Sequence, residues 1–127
     1  MEVVLDTNAL SAWADGEEDM RSVSKETTKA FIPAVVLGEY YFGLRGSRRG
    51  QLYRKWLETQ WSLLEILNVT VDTAEIYSRV RHGLKTAGRP IPPNDIWIAA
   101  SAIECGLPLL TRDRHFREVE GVEVLGF

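Results

Sequence analysis

The chain has little of several features that define whole classes of protein. Its 127 residues include one cysteine, Cys105, which excludes an internal disulfide framework. Cys105 has apolar neighbours, so we expect a small buried side chain there. No stretch approaches the ~20 apolar residues of a membrane span. The apolar N-terminal run is too short for a signal peptide and meets Asp6 too early. We therefore expect a cytoplasmic protein without a membrane segment.

A surplus of basic residues is also missing. The chain has 15 Lys and Arg against 18 Asp and Glu, a formal net charge of -3. This balance does not indicate nucleic-acid binding, although net charge says nothing about how the charges are distributed. The hydrophobic content of 45% over 127 residues is enough for one core, burying roughly two-thirds of the unfolded chain's surface. We predict a single domain over residues 1–127.

Short apolar runs alternate with helical patterns along the chain. Strands are predicted at 3–5 and 30–32 and in "LLEILNV", "LPLLT" and "VEVLGF". Helices are predicted over 10–20, from Pro33 onward, from Leu52 toward Trp61, in "DTAEIYSRVRHGLKTAG" with Asp72 as N-cap, and in "NDIWIAASAIEC" from Asn94. Near-continuous apolar strands separated by helices indicate a parallel sheet covered on both faces. The predicted fold class is α/β.

Four carboxylates lie where such a sheet places functional groups. Asp6 follows the first predicted strand and Asp113 the fourth, and the carboxyl ends of parallel strands share one edge. Asp95 opens a predicted helix and Glu39 lies within the first two turns of another, so both can face the same crevice. Each acid alone also has a structural interpretation as a turn, cap, first-turn or solvated helix residue.

The set of four favours chemistry over four separate structural roles. No basic residue adjoins Asp6, Glu39 or Asp95 in the sequence. Converging carboxylates would repel one another and rise in pKa unless a cation shared the site. A hard cation with oxygen ligands, Mg²⁺ or Mn²⁺, suits such a site.

These segments resemble a known family. "LDTNAL", the Glu of "VVLGEYYFGL", the Asp of "PPNDIWIAA" and "LLTRDRHF" are similar to the four signature segments of PIN-domain ribonucleases, especially VapC toxins of toxin–antitoxin pairs. The resemblance covers essentially the whole chain, in order. It implies a three-layer α/β/α fold with a five-stranded parallel sheet in the order 3-2-1-4-5. The implied acidic site is Asp6, Glu39, Asp95 and Asp113, with polar support from Thr7, Asn8 and Thr111.

The activity that the resemblance implies is metal-dependent hydrolysis of RNA. Asp6 would bridge Mg²⁺ or Mn²⁺, Asp95 and Glu39 would coordinate directly, and Asp113 would act through water or hold a second ion. Without four site acids the remainder of the chain is slightly positive, so it can accept a polyanion. The candidate phosphate contacts are Arg45, Arg48, Arg49, Arg112 and Arg114. A solvated basic loop remains the alternative for the first three, and Arg112 could instead pair with an acid.

Other functions fit the same residues less well. A haloacid-dehalogenase-type phosphatase needs a second Asp two positions after the first, where this chain has Asn8. A receiver domain needs a phosphorylatable Asp after strand three, where only Asp72 lies, at a helix start. His82 is expected to be exposed, and His115 to fix the turn after Asp113 rather than act as a base. The remaining alternative is a catalytically degenerate PIN domain that serves as an RNA- or protein-binding scaffold.

The resemblance also implies two protein partners. One is an antitoxin of the VapB type, bound along the helices that carry Tyr40, Tyr41, Phe42, Trp56 and Trp61; packing of these aromatics in the core is the alternative, which we expect for Tyr40 at least. The other is a second copy of the chain, in a homodimer formed through the helices of residues 72–105.

Overall fold

The computed structural model describes all residues, 1–127. Five strands alternate with six α-helices and one 3₁₀ helix. In chain order they are β1 (Glu2–Leu5), α1 (Thr7–Ala14), α2 (Glu18–Glu26), β2 (Lys29–Pro33), α3 (Ala34–Arg45), α4 (Gly50–Thr59), β3 (Leu64–Leu67), α5 (Val71–Thr86), α6 (Pro93–Cys105), β4 (Leu109–Leu110), the 3₁₀ helix (Arg114–Glu118) and β5 (Val124–Leu125).

All five strands form one parallel sheet in the order β3-β2-β1-β4-β5. The central strand β1 pairs with β2 on one side and β4 on the other, with Val4 opposite both Phe31 and Leu109. Strand order reverses on either side of β1, and in open α/β sheets ligands bind beyond the strand ends at such a point. The predicted fold class and strand order are confirmed.

The core surrounds β1 from both sides. Val3, Val4 and Leu5 are all fully buried, and because successive strand residues point to opposite faces, helices must cover both faces of the sheet. A cluster of 21 buried residues forms this core. Helix α6 contributes Ile98 and Ala99, whose small and apolar side chains allow close packing. No helix of the chain is long and apolar enough to cross a membrane.

Five local predictions differ from the structure. The helix predicted over 10–20 is two helices, because the chain turns at Gly16 with a φ of +66°; α2 then runs on through "SVSKE". Helix α5 is capped by Thr70 instead of Asp72, since the Thr70 hydroxyl accepts from the Thr73 N–H and Thr73 bonds back in a capping box. Helix α6 starts at Pro93 instead of Asn94.

The fourth difference concerns Cys105. This residue is exposed because it is the last residue of α6, directly before Gly106 in the left-handed conformation. Pro33, expected in the first turn of a helix, instead ends β2 and caps α3.

Candidate active site

Asp6 lies at the junction of the central strand and the first helix. Its backbone is extended, it precedes α1 as the N-cap, and its Oδ1 accepts from the N–H of Thr7 at 2.8 Å. Only 4% of the residue is exposed. Asp6 is therefore a helix cap, as its structural interpretation predicts, and also a buried carboxylate at the sheet edge.

The other oxygen of Asp6 is bound by two side chains. Thr111, just after β4, donates its hydroxyl to Oδ2 at 2.6 Å. Asn8 donates its amide to the same oxygen at 3.2 Å and accepts the N–H of Arg112 on its own Oδ1 at 3.1 Å. Thr111 in turn accepts the N–H of Asp113 at 2.9 Å. These bonds fix the Asp6 rotamer and tie the ends of β1 and β4 together.

Helix α3 brings Glu39 to the same place. The hydroxyl of Thr7 donates to Oε1 of Glu39 at 2.8 Å, so Thr7 binds Asp6 through its backbone and Glu39 through its side chain. Glu39 lies one helical turn after the buried Val36 and directly before the buried Tyr40. Phe42, for which core packing was the alternative to a partner surface, is 81% exposed.

Asp95, Asp113 and His115 form the other half of the site. Nδ1 of His115 lies 3.2 Å from Oδ2 of Asp95 and 3.2 Å from Oδ1 of Asp113. The backbone N–H of His115 also donates to Asp113 at 2.9 Å. Each residue offers a ligand atom within 4.8 Å of the others. His115 fixes the turn as expected, but sequence reasoning missed that its ring reaches Asp95. A His two positions after the acid of "TRDRHF" is the only signal that could have indicated it.

Burial and mutual repulsion perturb the acids. Burial raises the pKa of Asp6, and the nearby Asp95 and Glu39 raise it further, against the lowering effect of the bonds from Thr111 and Thr7. Burial likewise raises the pKa of Asp95, with Asp113 and Glu39 adding to the rise and His115 opposing it. Buried carboxylates that share a site are stabilised in their charged form by a cation. The oxygen-rich donor set fits a hard divalent ion.

The pKa of His115 is also raised, which for a histidine favours the charged form. Its bond to Asp95 is the main cause of a pKa above the ordinary value, and the charges of Asp113 and Asp95 add to it. A protonated His115 between Asp95 and Asp113 therefore offsets part of the repulsion at this side of the site.

The five candidate arginines have different surroundings. The guanidinium of Arg112 lies 2.8 Å from Glu17 and 3.8 Å from Asp19 and stacks 4.2 Å from the centre of the Phe127 ring. This position agrees with the alternative that Arg112 pairs with an acid. Arg49 lies 5.6 Å from the ring centre of Tyr53. Arg45, Arg48 and Arg114 are exposed.

Comparison with known proteins gives consistent matches. The PIN domain family matches residues 3–122. Ribonuclease VapC5 of Mycobacterium tuberculosis is 30% identical over 120 residues, which are 93% of this chain and 87% of that protein. Among solved structures, DNA-bound VapBC from Salmonella typhimurium has a TM-score of 0.86 at 26% identity, covering 99% of this chain and 98% of that one. VapBC2 from Rickettsia felis, bound to a promoter DNA fragment, has a TM-score of 0.90 at 22% identity, covering 100% and 99%, and supports the fold alone.

Proposed function

The chain belongs to the PIN domain family and, within it, to the VapC ribonucleases, and from this membership we propose that it is an endoribonuclease toxin whose carboxylate cluster hydrolyses RNA with Mg²⁺ or Mn²⁺. The observation that carries the proposal is the convergence of Glu39 and Asp95 on Asp6. Burial raises the pKa of Asp6, and the charges of Asp95 and Glu39 raise it further. Its partner is an antitoxin of the VapB kind, as in the VapBC complexes that it resembles.

The proposed ligands are the four acids. Asp6 is buried, and Glu39, Asp95 and Asp113 are partly buried. A hard divalent ion bound there supplies Lewis acidity that makes water nucleophilic at neutral pH and neutralises charge on the phosphate. Thr7, Asn8 and Thr111 hold the carboxylate rotamers, which is the role that hydrogen-bonded neighbours of metal ligands commonly have.

His115 extends this arrangement beyond the four acids. Its ring touches Asp95 and Asp113, so it orients both carboxylates. Arg45, Arg48, Arg49 and Arg114 are the proposed contacts to RNA phosphates, which fix the register of the strand without reading its sequence. We also place the protein in the cytoplasm as a single domain over residues 1–127, and we propose a homodimer through α5 and α6.

The test is cleavage of RNA by the purified chain. Wild-type protein should cut single-stranded RNA with Mg²⁺ or Mn²⁺ and stop with a chelator. Asp6→Asn, Glu39→Gln and Asp95→Asn should each lose activity by a factor on the order of 10² or more, the size seen when one electrostatic contact is removed from an active site. Asp113→Asn should be equal or milder.

The control is Asp72→Asn, which neutralises an exposed acid in the first turn of α5. It should cleave as the wild type does. Circular dichroism should show each variant folded. An Asp6→Asn protein that cleaves at the wild-type rate would contradict the proposal. The alternative of a catalytically degenerate scaffold is not favoured, because all four acids are present.

A further inference from the structure

A cavity adjoins the carboxylate cluster on its α1 and α3 side. It measures about 290 Å³, and Thr7 and Glu39 form part of its wall. These two residues also belong to the cluster, since the Thr7 hydroxyl donates to Glu39. The volume lies just below the roughly 300–1,000 Å³ that small-molecule sites occupy. A group the size of one nucleobase fits there, directly beside the place where the phosphate would lie.

The polar groups around this cavity match the edge of a base. Asp15, which follows α1, accepts a hydrogen bond of 2.5 Å from the hydroxyl of Tyr53 on α4. The second carboxylate oxygen of Asp15 is left for another donor. The ring of Tyr53 carries the guanidinium of Arg49 at 5.6 Å. The wall thus combines an anionic acceptor, an aromatic ring and a cation beside it.

Tyr40 contributes a hydroxyl that has no partner. The residue lines the cavity and is only 5% exposed, and its hydroxyl oxygen is buried without a hydrogen bond. Burial, together with Tyr53 and Asp15, raises the pKa of Tyr40 to about 12, so the hydroxyl keeps its proton and can donate. Buried polar groups without partners are uncommon, and one at a cavity beside a reactive centre points to a ligand.

We propose that this cavity binds the base of the nucleotide next to the scissile phosphate, with guanine preferred. The proposal rests on the proposed ribonuclease function and adds a specificity site to it. Unpaired RNA bases are commonly recognised through their Watson–Crick edges and by stacking on aromatic rings. Guanine offers N–H donors to the Asp15 carboxylate and, next to them, an acceptor oxygen to a tyrosine hydroxyl.

Entry of the base requires a small local rearrangement. Tyr53 and Asp15, which are bonded to each other, line the same cavity as Tyr40. A base that takes over the Asp15 carboxylate releases Tyr53 to rotate, which opens the buried Tyr40 hydroxyl to the same ligand. Tyr53 is then free to stack on the base from the rim.

Gly43 allows the cavity to be blocked. It lies one turn after Glu39 on α3 and lines the cavity, and a Cβ built there meets no atom within 4 Å. Gly43→Leu therefore adds an apolar side chain at the cavity wall, from a Cβ that meets no neighbouring atom. Gly38→Leu is the matched control, because Gly38 is on the same helix, also meets no atom within 4 Å, and does not line the cavity. Both changes raise helix propensity equally.

Cleavage-site mapping tests the proposal. The wild type, Asp15→Asn, Tyr40→Phe, Gly43→Leu and Gly38→Leu are each given a randomised single-stranded RNA with Mg²⁺, and the 5′ ends of the products are sequenced. The wild type should prefer guanine at one position beside the cut. Asp15→Asn and Gly43→Leu should reduce that preference by about tenfold, the discrimination expected from a paired contact to a base edge. Gly38→Leu should keep it.

Tyr40→Phe separates recognition from folding. It should weaken the guanine preference while leaving the melting temperature equal or higher, because the hydroxyl it removes has no partner in the free protein. A lower melting temperature with unchanged preference would mean that the hydroxyl is structural and would overturn its role. Wild-type preference in all cavity variants would mean that the cavity holds only water.

A binding measurement keeps this inference separate from the catalytic proposal. Short single-stranded RNAs that differ in one base are titrated into the protein with Ca²⁺, by fluorescence anisotropy. Tighter binding of the guanine-containing RNA to the wild type and to Gly38→Leu, but not to Gly43→Leu, supports the cavity even if no RNA is cleaved. Cleavage without any base preference in either assay, or a preference for another base, would overturn the cavity assignment and leave the ribonuclease function standing.

Discussion

Thr111 donates a hydrogen bond of 2.6 Å to Oδ2 of Asp6, although 105 positions separate the two residues in the sequence. The pairing of β1 with β4, Leu5 opposite Leu110, brings them together. Thr111 also accepts the N–H of Asp113. One hydroxyl therefore links two of the four acids of the site.

Replacing Thr111 tests this link. Thr111→Val keeps the shape but leaves a buried carboxylate without its shortest donor, so we expect a loss of about 1–3 kcal/mol in the free energy of unfolding. We also expect Mn²⁺ affinity to fall by about 10- to 100-fold. Urea unfolding and calorimetric titration measure these effects. Thr111→Ser should retain most of both, and Thr86→Val, which removes an exposed hydroxyl on α5, should change neither.

The strands and the acids were predictable because each depends on short-range sequence. Apolar runs at 3–5 and 30–32 indicated β1 and β2, and an acid after a strand indicated Asp6 and Asp113. Parallel topology then placed both acids at one edge. The strand order itself came from family resemblance, since periodicity alone does not determine which strands are neighbours.

Other features depend on contacts that the sequence does not display. The break between α1 and α2 depends on Gly16 taking a positive φ. Glu18 and Asp19 then lie in the first turn of α2, where acidic side chains are favourable. Thr70 displaced Asp72 as the cap because Thr73 reciprocates its bond. The ring of His115 reaches Asp95 only because the 3₁₀ helix after β4 turns it toward α6.

Metal should stabilise the native state. The free protein holds like charges together, so bound Mn²⁺ should raise the melting temperature by mass action, with about 2.7 kcal/mol expected at a concentration of 100 times Kd. The melting temperature of Asp95→Asn should rise much less when Mn²⁺ is added. Asp72→Asn, the exposed control, should shift as the wild type does. Differential scanning fluorimetry measures this, and equal shifts for Asp95→Asn and wild type would place the ion elsewhere.

The pH dependence of metal-free stability should report His115. Its pKa is raised above the ordinary value of 6.5 in the folded protein, chiefly by the bond to Asp95. The folded state therefore binds the proton more tightly than the unfolded chain, and the stabilisation is fully present below pH 6.5 and is lost as pH rises through the folded pKa. The ring is half exposed, so the effect should be modest.

The comparison uses wild type and His115→Gln with chelator present. Their difference in unfolding free energy should shrink as pH rises, measured by urea unfolding across the window. His82→Gln makes the same change at an exposed residue of α5. It serves as the control for the substitution itself and should change the unfolding free energy little. A wild-type advantage that grew with pH would contradict the assignment.

Arg112 and Arg114 should have different roles although they lie only two positions apart in the sequence. Arg112 is bound by Glu17 and Asp19 and packs on Phe127, so Arg112→Ala should lower stability and leave the salt dependence of RNA binding nearly unchanged. Arg114→Ala should weaken RNA binding. It should also reduce the magnitude of the slope of log K against log salt by about 1, the change expected when one phosphate contact is lost. Anisotropy titrations at several salt concentrations distinguish them. The reverse pattern would make Arg112 the phosphate contact.

The antitoxin should bind over the exposed apolar side chains of α3 and α4. Phe42 is 81% exposed and Leu52 61%, so neither side chain is packed in the core. Tyr40, on the same helix as Phe42, is buried. Large apolar groups at an interface centre dominate binding energy, so Phe42→Ala should weaken the toxin–antitoxin complex by about 2 kcal/mol, or about thirtyfold in Kd. Its melting temperature should stay unchanged because little of the ring is buried.

Val71→Ala provides the matched control for Phe42→Ala. Val71 is 86% exposed at the start of α5, outside the proposed surface, and its truncation should leave the complex intact. The affinities are measured by calorimetry with the cognate VapB-type antitoxin. If Phe42→Ala and Leu52→Ala bind as tightly as wild type while Val71→Ala does not, the antitoxin covers α5 and not α3 and α4. The proposed dimer contact through α5 would then compete with it, and addition of antitoxin would dissociate the homodimer in sedimentation experiments.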